Sequence, residues 1–449
     1  MSELTNYIDG AKNYDQHPFI QKPGKTILFV MPRLLMPDYY LMISVGMVLN
    51  QDHPGYRCLF SNILPGDPDK HYNDYDIRIT DALLMDCDIV VFPTITDNLT
   101  ITYDEIRKIK PEIKIVYCLN TNPFEMPEEY PNREMIVLKN DNIEGNIRAA
   151  DLLLCNSSAL NSRVFETLKK KLAGSGTGID FIPALANWND YKGIKFPKAH
   201  EKPVRKILVL VQPELYDHLQ EWEIERIISD DPQPPVDDAE GSHVDIPAVA
   251  DDATTKEGET NLGPKIPEPQ KTETLNILQL AKEEFGDRIE IILGATRYVG
   301  PEEPEHKLFD RIERLPLPDV YFQWLVDLDV DAIWIYAPAG AFSESSSSLG
   351  PVIEGAMLGI PVFAPDQIPF NRMIHHNKNG ILCKEPVQFL EELRVSFDLG
   401  FEGKFLEITR IARQLCQQNL ILQLPANLEH IAQIFKIQDL RKKVLTVLG

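Results

Sequence analysis

The sequence predicts an α/β protein of two successive doubly wound, Rossmann-like units facing across a cleft, and three observations predict it. Short apolar runs recur along the chain and are continuous rather than alternating, as in strands covered on both faces. Helical stretches separate them, which makes parallel βαβ units. The pattern stops in the polar stretch Lys198 to Pro203 and then restarts.

In the first unit, Thr26 to Met31 is a buried-strand run ended by Pro32, and Tyr39 to Leu49 reads as a helix. Arg57 to Leu64 is the second predicted strand, closed by Pro65-Gly66. Asp88 to Phe92 is the third, closed by Pro93. Lys114 to Leu119 is the fourth, followed by the turn residues Asn120-Thr121-Asn122-Pro123. Leu152 to Cys155 and Ile179 to Pro183 complete the set. Helices are predicted over Tyr103 to Lys108 and Ala159 to Leu172, the latter with Ser158 as its N-cap.

The second unit opens with a strand at Lys206 to Val211 and a predicted helix from about Glu214 to Ser229. Further strands follow at Ile289 to Leu293, ended by Gly294, and at Val330 to Tyr336, Pro361 to Ala364 and Gly380 to Cys383. Residues 1–200 form the first domain, 201–425 the second and 426–449 a helical tail. Positions 230–271 are rich in Pro and acids and contain no Phe, Tyr or Trp. Such a stretch cannot bury enough apolar surface to offset its ordering entropy, so it reads as a mobile surface insertion, with a lid or partner-binding role the lesser option.

Composition excludes several classes. The 449 residues are 43% hydrophobic and 25% charged, as in an ordinary globular protein. Lys and Arg total 45 against 68 Asp and Glu, a formal charge of -23. That balance opposes a coat on nucleic acid or anionic lipid. The six cysteines form no CxxC pair and sit in apolar runs, so they read as reduced core thiols of a cytoplasmic-type compartment. No clustered Cys and His points to a metal. No apolar run is long enough to span a bilayer. Lys169-Lys170-Lys171 could touch a membrane surface, but a solvated helix face is the preferred reading, since anchoring needs a second signal.

The chemistry concentrates between Phe342 and Val362. A small, polar serine run, Ser345 to Ser348, precedes Leu349-Gly350-Pro351. Pro351 suits the first turn of a helix and Gly359 its end. Loop amides and a helix N-terminus can hold a diphosphate. Ser346, Ser347, Ser348, Leu349 and Gly350 are therefore the candidate phosphate loop. Glu354 falls in the first predicted helical turn, where a carboxylate can accept two hydrogen bonds from a ribose diol.

Pro351, Glu354, Gly359, Pro361, Val362 and Ala364 resemble, in register, the motif of the GT-B glycosyltransferases, most closely the retaining family 4. Gly355-Ala356-Met357 has the same character shifted by one position. Asn379-Gly380-Ile381-Leu382, Ala150 to Ser157 and Ile179 to Pro183 are similar to further family segments. The resemblance implies a metal-independent, retaining hexosyl transfer from a nucleotide-diphosphate sugar to a hydroxyl of a glycan, lipid-linked or small-molecule acceptor. The donor is then a substrate, with no further cofactor. The reduced-thiol reading and the lack of a long apolar run predict a cytoplasmic protein, with peripheral membrane contact the lesser option.

The departures are specific. The first glutamate of the family's pair would fall on Ser346, and Glu344 lies two residues early; Glu344 is the substitute candidate for a catalytic contact. Asn120 stands where many relatives carry a histidine and is the acceptor-side candidate. Gln212-Pro213-Glu214 supplies no cation after its strand, and Pro32-Arg33-Leu34-Leu35 replaces a glycine-rich turn. Arg297, just past Gly294, is the candidate diphosphate cation, with Arg372 the weaker one. His375-His376 reads as a pair near a helix C-terminus. With so few cations, the alternative is a weak or inactive GT-B scaffold that binds a nucleotide sugar, a glycan or a partner protein.

Overall fold

The structure is a computed structural model that describes residues 22–31, 38–61, 79–126, 133–192, 194, 205–211, 223–228, 271–295, 305–316, 318–337, 340–397 and 404–436. Two six-stranded parallel sheets organise them. The first contains β1 (Lys25–Val30), β2 (Tyr56–Ser61), β3 (Ile89–Phe92), β4 (Lys114–Leu119), β5 (Leu152–Cys155) and β6 (Gly178–Phe181), in the order β2-β1-β3-β4-β5-β6. All six predicted strands are there. The prediction for residues 62–64 of the second lies outside the described residues.

Residue parity explains the two covered faces. In β1, Ile27 and Phe29 enter one apolar cluster while Leu28 and Val30 enter another. On the first face, a π-helical turn (Tyr39–Ile43) runs into α1 (Ser44–Asp52). On the same domain lie α2 (Asp81–Asp86), α3 (Thr100–Ile109), α4 (Arg133–Val137), α5 (Asn140–Ala149) and α6 (Ser158–Leu172). Helix α6 buries Leu160, Val164 and Leu168 at fourfold spacing. Its N-cap is Ser157 rather than Ser158: the Ser157 hydroxyl accepts from Leu160 N–H at 3.1 Å. Either serine satisfies the sequence rule, and the extended backbone of Ser157 decides between them.

The second sheet contains β7 (Lys206–Val211), β10 (Glu290–Ala295), β11 (Arg311–Arg314), β12 (Ala332–Tyr336), β13 (Val362–Pro365) and β14 (Ile381–Cys383), ordered β11-β10-β7-β12-β13-β14. The edge strand β11 reads Arg-Ile-Glu-Arg, charged as an edge strand should be, and so lacks the apolar signal of its neighbours. The predicted helix over 214–229 is corrected where it is described. Glu223–Ile228 is a strand, β8, paired antiparallel with β9 (Lys271–Asn276). The β-branched residues of Glu-Ile-Glu-Arg-Ile-Ile and Lys-Thr-Glu-Thr-Leu-Asn favour strands, and the two lie more than forty residues apart in sequence.

Helices α7 (Ile277–Phe285), α8 (Glu305–Leu308), α9 (Pro318–Asp327), α10 (Ala341–Ser346), α11 (Gly350–Leu358), α12 (Phe370–Met373), α13 (Pro386–Phe397) and α14 (Lys404–Asn419) surround this sheet. The last helix, α15 (Pro425–Ile434), returns to the first domain. Tyr56 donates to the Ala432 carbonyl at 2.6 Å, and Phe435 meets Phe29 edge-on with centroids 6.2 Å apart. Leaving the second domain, the chain pairs with the segment entering it: Ala186 N–H donates to Leu420 O, and Leu422 N–H to Ala186 O. One apolar cluster consequently runs unbroken from β1 through α15 into β12 and α11.

All six cysteines are buried and unpaired, as expected of core thiols. Burial pushes the Cys87, Cys383 and Cys416 thiols up to about 12. Among the described residues no helix is long and apolar enough to cross a membrane. Lys169 and Lys171 pair with Glu166 and Glu144. His375 and His376 follow directly on the C-terminus of α12.

Candidate functional site

In the second sheet the chain winds outward from β7 through β10 to β11, then from β12 through β13 to β14. The winding reverses between β7 and β12, the point where open α/β sheets bind ligands beyond their strand ends. A cavity of about 700 Å³, its open mouth included, lies there. Leu210 and Val211 at the end of β7, and Tyr336 and Ala337 at the end of β12, form its floor. The start of α11 contributes Ser347, Ser348, Gly350 and Glu354.

Glu354 is the one charged side chain among the described lining residues. It sits one residue past the first turn, because α11 begins at Gly350; the sequence had placed it within that turn. The helix starts with Pro351 near its N-terminus and ends at Gly359, whose φ of 76° is left-handed. Glu354 is only 2% exposed. Tyr40 donates to its Oε1 at 2.7 Å and Tyr321 to its Oε2 at 2.8 Å. Burial raises the carboxyl from 4.5 to about 7, and the two phenol bonds hold it back from rising further. Both phenols are in turn pushed well above the ordinary tyrosine range by burial and by the carboxylate they face.

Tyr40 comes from the first domain. The π-helical turn delivers it, with all five turn residues buried; such turns recur at functional positions. Its ring passes over Gly350, where an added Cβ would lie 2.9 Å from Tyr40 Cε2. Tyr40 and Ser348 also line a smaller cavity of about 260 Å³, walled on the first domain by Leu41, Asn156 and Ile182. The two cavities thus share a wall.

The serine run folds differently from the predicted open loop. Its first part is α10, and it faces the other domain. Ser346 Oγ accepts from Asn122 N–H at 3.0 Å, and Asn122 Nδ2 donates to Ser345 Oγ at 3.4 Å. Ser347 Oγ is buried and has no hydrogen-bond partner among the described residues. Ser348 Oγ accepts from Gly350 N–H at 3.1 Å. Val352 and Ile353 N–H donate to Leu349 O, and Pro351 has no N–H. The first amides of α11, expected to face a diphosphate, are therefore already bonded within the turn. Leu349 itself packs against the core.

The remaining candidates separate. Glu344 is not among the cavity's lining residues; it pairs across the domain boundary with Arg163 at 3.2 Å, and Arg163 also lies 3.7 Å from Glu125. Asn120 donates to Asp38 at 2.8 Å, and its carbonyl accepts from Asn156 at 2.9 Å, which places it behind the smaller cavity. Asn120 Oδ1 and Asn156 Oδ1 are buried without a partner among the described residues. Arg372 is exposed and does not line the cavity. Arg297 and the segments 32–37 and 212–214 lie outside the described residues.

Gly294 shapes the cavity from behind. An added Cβ would lie 2.7 Å from Leu210 Cδ2 and 3.0 Å from Leu315 Cδ2, and both leucines line the cavity. Gly294→Ala is expected to push them inward and to cost about 1–3 kcal/mol of stability, read as a lowered midpoint in urea unfolding.

Sequence reasoning found Glu354 but missed Tyr40, Tyr321 and Asn122. Tyr40 and Asn122 meet their partners across the domain boundary, 314 and 224 residues away. No local pattern carries such contacts.

No protein-family model matches this sequence, and no curated protein does. Solved structures do. Sucrose-phosphate synthase from Thermosynechococcus elongatus is similar at a TM-score of 0.50 and 11% identity, over 92% of this chain and 98% of that one. HepE from Anabaena, solved with UDP and glucose, is similar at 0.49 and 12%, over 92% and 99%. A glycosyltransferase from Rickettsia africae is similar at 0.44 and 12%, over 92% and 99%. The likeness to the synthase, with the two parallel six-stranded sheets, shows the fold to be GT-B.

Proposed function

We propose that this chain is a glycosyltransferase that moves a hexose from a nucleoside-diphosphate donor to a hydroxyl acceptor, with retention of configuration and without a resident metal. One observation carries the reading. A cavity at the switch point of the second domain and a cavity on the first domain share Tyr40 and Ser348 as their common wall. A donor in the larger cavity would present its sugar at that wall, facing the first domain, which is the placement a transfer needs. The fold shared with a sucrose-phosphate synthase supports it.

The residues have separable roles in this reading. Leu210, Tyr336 and Phe370 offer apolar surface for a base. The Ser347 hydroxyl, buried without a partner, is a donor for a phosphate oxygen. The candidate for positive charge on the leaving diphosphate is Arg297, named from its place in the sequence just past Gly294. The acceptor, a glycan, lipid-linked or small hydroxyl compound, would reach the unpartnered Asn156 Oδ1.

A second reading, a GT-B scaffold that binds without transfer, is favoured by two observations. No Lys or Arg is among the described residues lining the cavity, and the first amides of α11 are internally bonded. One pair of measurements separates the readings: calorimetry and a product assay with a panel of nucleoside-diphosphate hexoses. Binding with release of free hexose or a glycosylated product is the expected result. Binding alone selects the scaffold. No binding to any donor overturns the transferase and the nucleotide-sugar scaffold, and leaves a scaffold for a glycan or a partner protein.

A further inference from the structure

Each oxygen of Glu354 already accepts one hydrogen bond before any ligand arrives. Tyr40 bonds one and Tyr321 the other, from different domains. A carboxylate can read a vicinal diol only if the diol reaches it, and here it is 2% exposed. Tyr40's ring lies against Gly350, where an added Cβ would be 2.9 Å from its Cε2. Neither phenol is free to swing aside. Tyr40 packs edge-on against Tyr39 at 5.8 Å between centroids, and Tyr39 in turn donates to Asp190. Tyr321 packs on Phe322 at 5.5 Å and on Trp324 at 5.7 Å. Phe322 is itself held by Tyr191 at 4.8 Å. Displacing either phenol would strand a buried hydroxyl without its acceptor, which offsets what a ribose hydroxyl gains.

We propose that Tyr40 and Tyr321 are specificity-determining residues: by holding Glu354 between them, they make the cavity accept a nucleoside diphosphate without reading the hydroxyls of its ribose. Ribo and 2′-deoxy ligands then bind almost alike. The inference rests on the nucleotide reading above and deepens it, since it names which part of the donor is recognised. Recognition falls to the base and phosphates instead.

The test uses the full chain and equilibrium binding of the four common ribonucleoside diphosphates, each against its 2′-deoxy form. For whichever base binds, the two dissociation constants are expected to lie within about threefold. A carboxylate that reads the 2′-hydroxyl would separate them by more than about tenfold. Tyr40→Ala removes both hydroxyl and ring, and is expected to raise the ribo preference above about tenfold. Tyr40→Phe keeps the packing and should move the ratio the same way, which covers the case of an Ala variant that does not fold. A wild-type ratio above tenfold, or a ratio that neither variant moves, overturns the inference and leaves the nucleotide reading standing. Failure of every nucleotide to bind overturns the nucleotide reading, and this inference with it.

Discussion

Glu354→Gln will make the protein more stable than its parent at pH 8 and bring no such gain at pH 4.5. Folding raises the carboxyl from 4.5 to about 7, mainly through burial. Between those values the folded chain holds a proton that the unfolded chain has released. Stability from this group is therefore complete below the unfolded value and is lost as pH rises through 7. The span is 7 − 4.5, which at 1.36 kcal/mol per unit is about 3 kcal/mol. Glutamine keeps the shape and still offers an oxygen to one phenol, and the other hydroxyl can accept from its amide. The Gln variant has no group to titrate in that window. Urea unfolding from pH 4.5 to 8 should show the two profiles diverging by roughly that amount. Parallel profiles would mean that the carboxyl is not buried between the two tyrosines.

Gly355→Ala will cost about 3 kcal/mol or more, toward the upper range for overpacking a filled core. An added Cβ would stand 2.3 Å from Val362 Cγ2 and 2.8 Å from the Ile360 carbonyl oxygen. The carbonyl belongs to the backbone and accepts no rotamer change. It also lies in the tight return from α11 to β13, where Ile360 N–H donates to Gly355 O at 2.8 Å. Relief must come from moving α11 off the sheet, and its cavity-lining start at Gly350 and Pro351 moves with it. The variant should lose stability and ligand affinity together. Thermal unfolding and nucleotide titration on the same preparation check this; an Ala variant of unchanged midpoint would show that the helix is seated less closely.

That contact also explains what the sequence made legible. The family's motif places a larger residue after its glutamate, and here Gly355 intervenes. From the sequence this reads as a one-position shift; in three dimensions it is a point where no Cβ fits. Strands were legible because β1, β4, β7 and β12 are covered on both faces and so carry continuous apolar runs. The hairpin of β8 and β9 was not, because its pairing spans a long insertion. Ser345 and Ser346 looked like a phosphate loop because their composition suits one. Their hydroxyls instead meet Asn122 on the other domain, a contact that composition does not encode. Glu354 was legible as a carboxylate near a helix start. Its two phenol partners were not, since one comes from another domain and the other from a separate helix.

The polypeptide passes between its two halves at Ala186 and again at Leu420 to Leu422, and those passages are bonded side by side. Two adjacent ties behave as the spine of a book. They permit one swing about a line along themselves and resist shear or twist between the covers. The Tyr40–Glu354 bond and the Arg163–Glu344 ion pair both bridge the covers. Both hold the covers at one angle, so weakening either contact shifts its load onto the other.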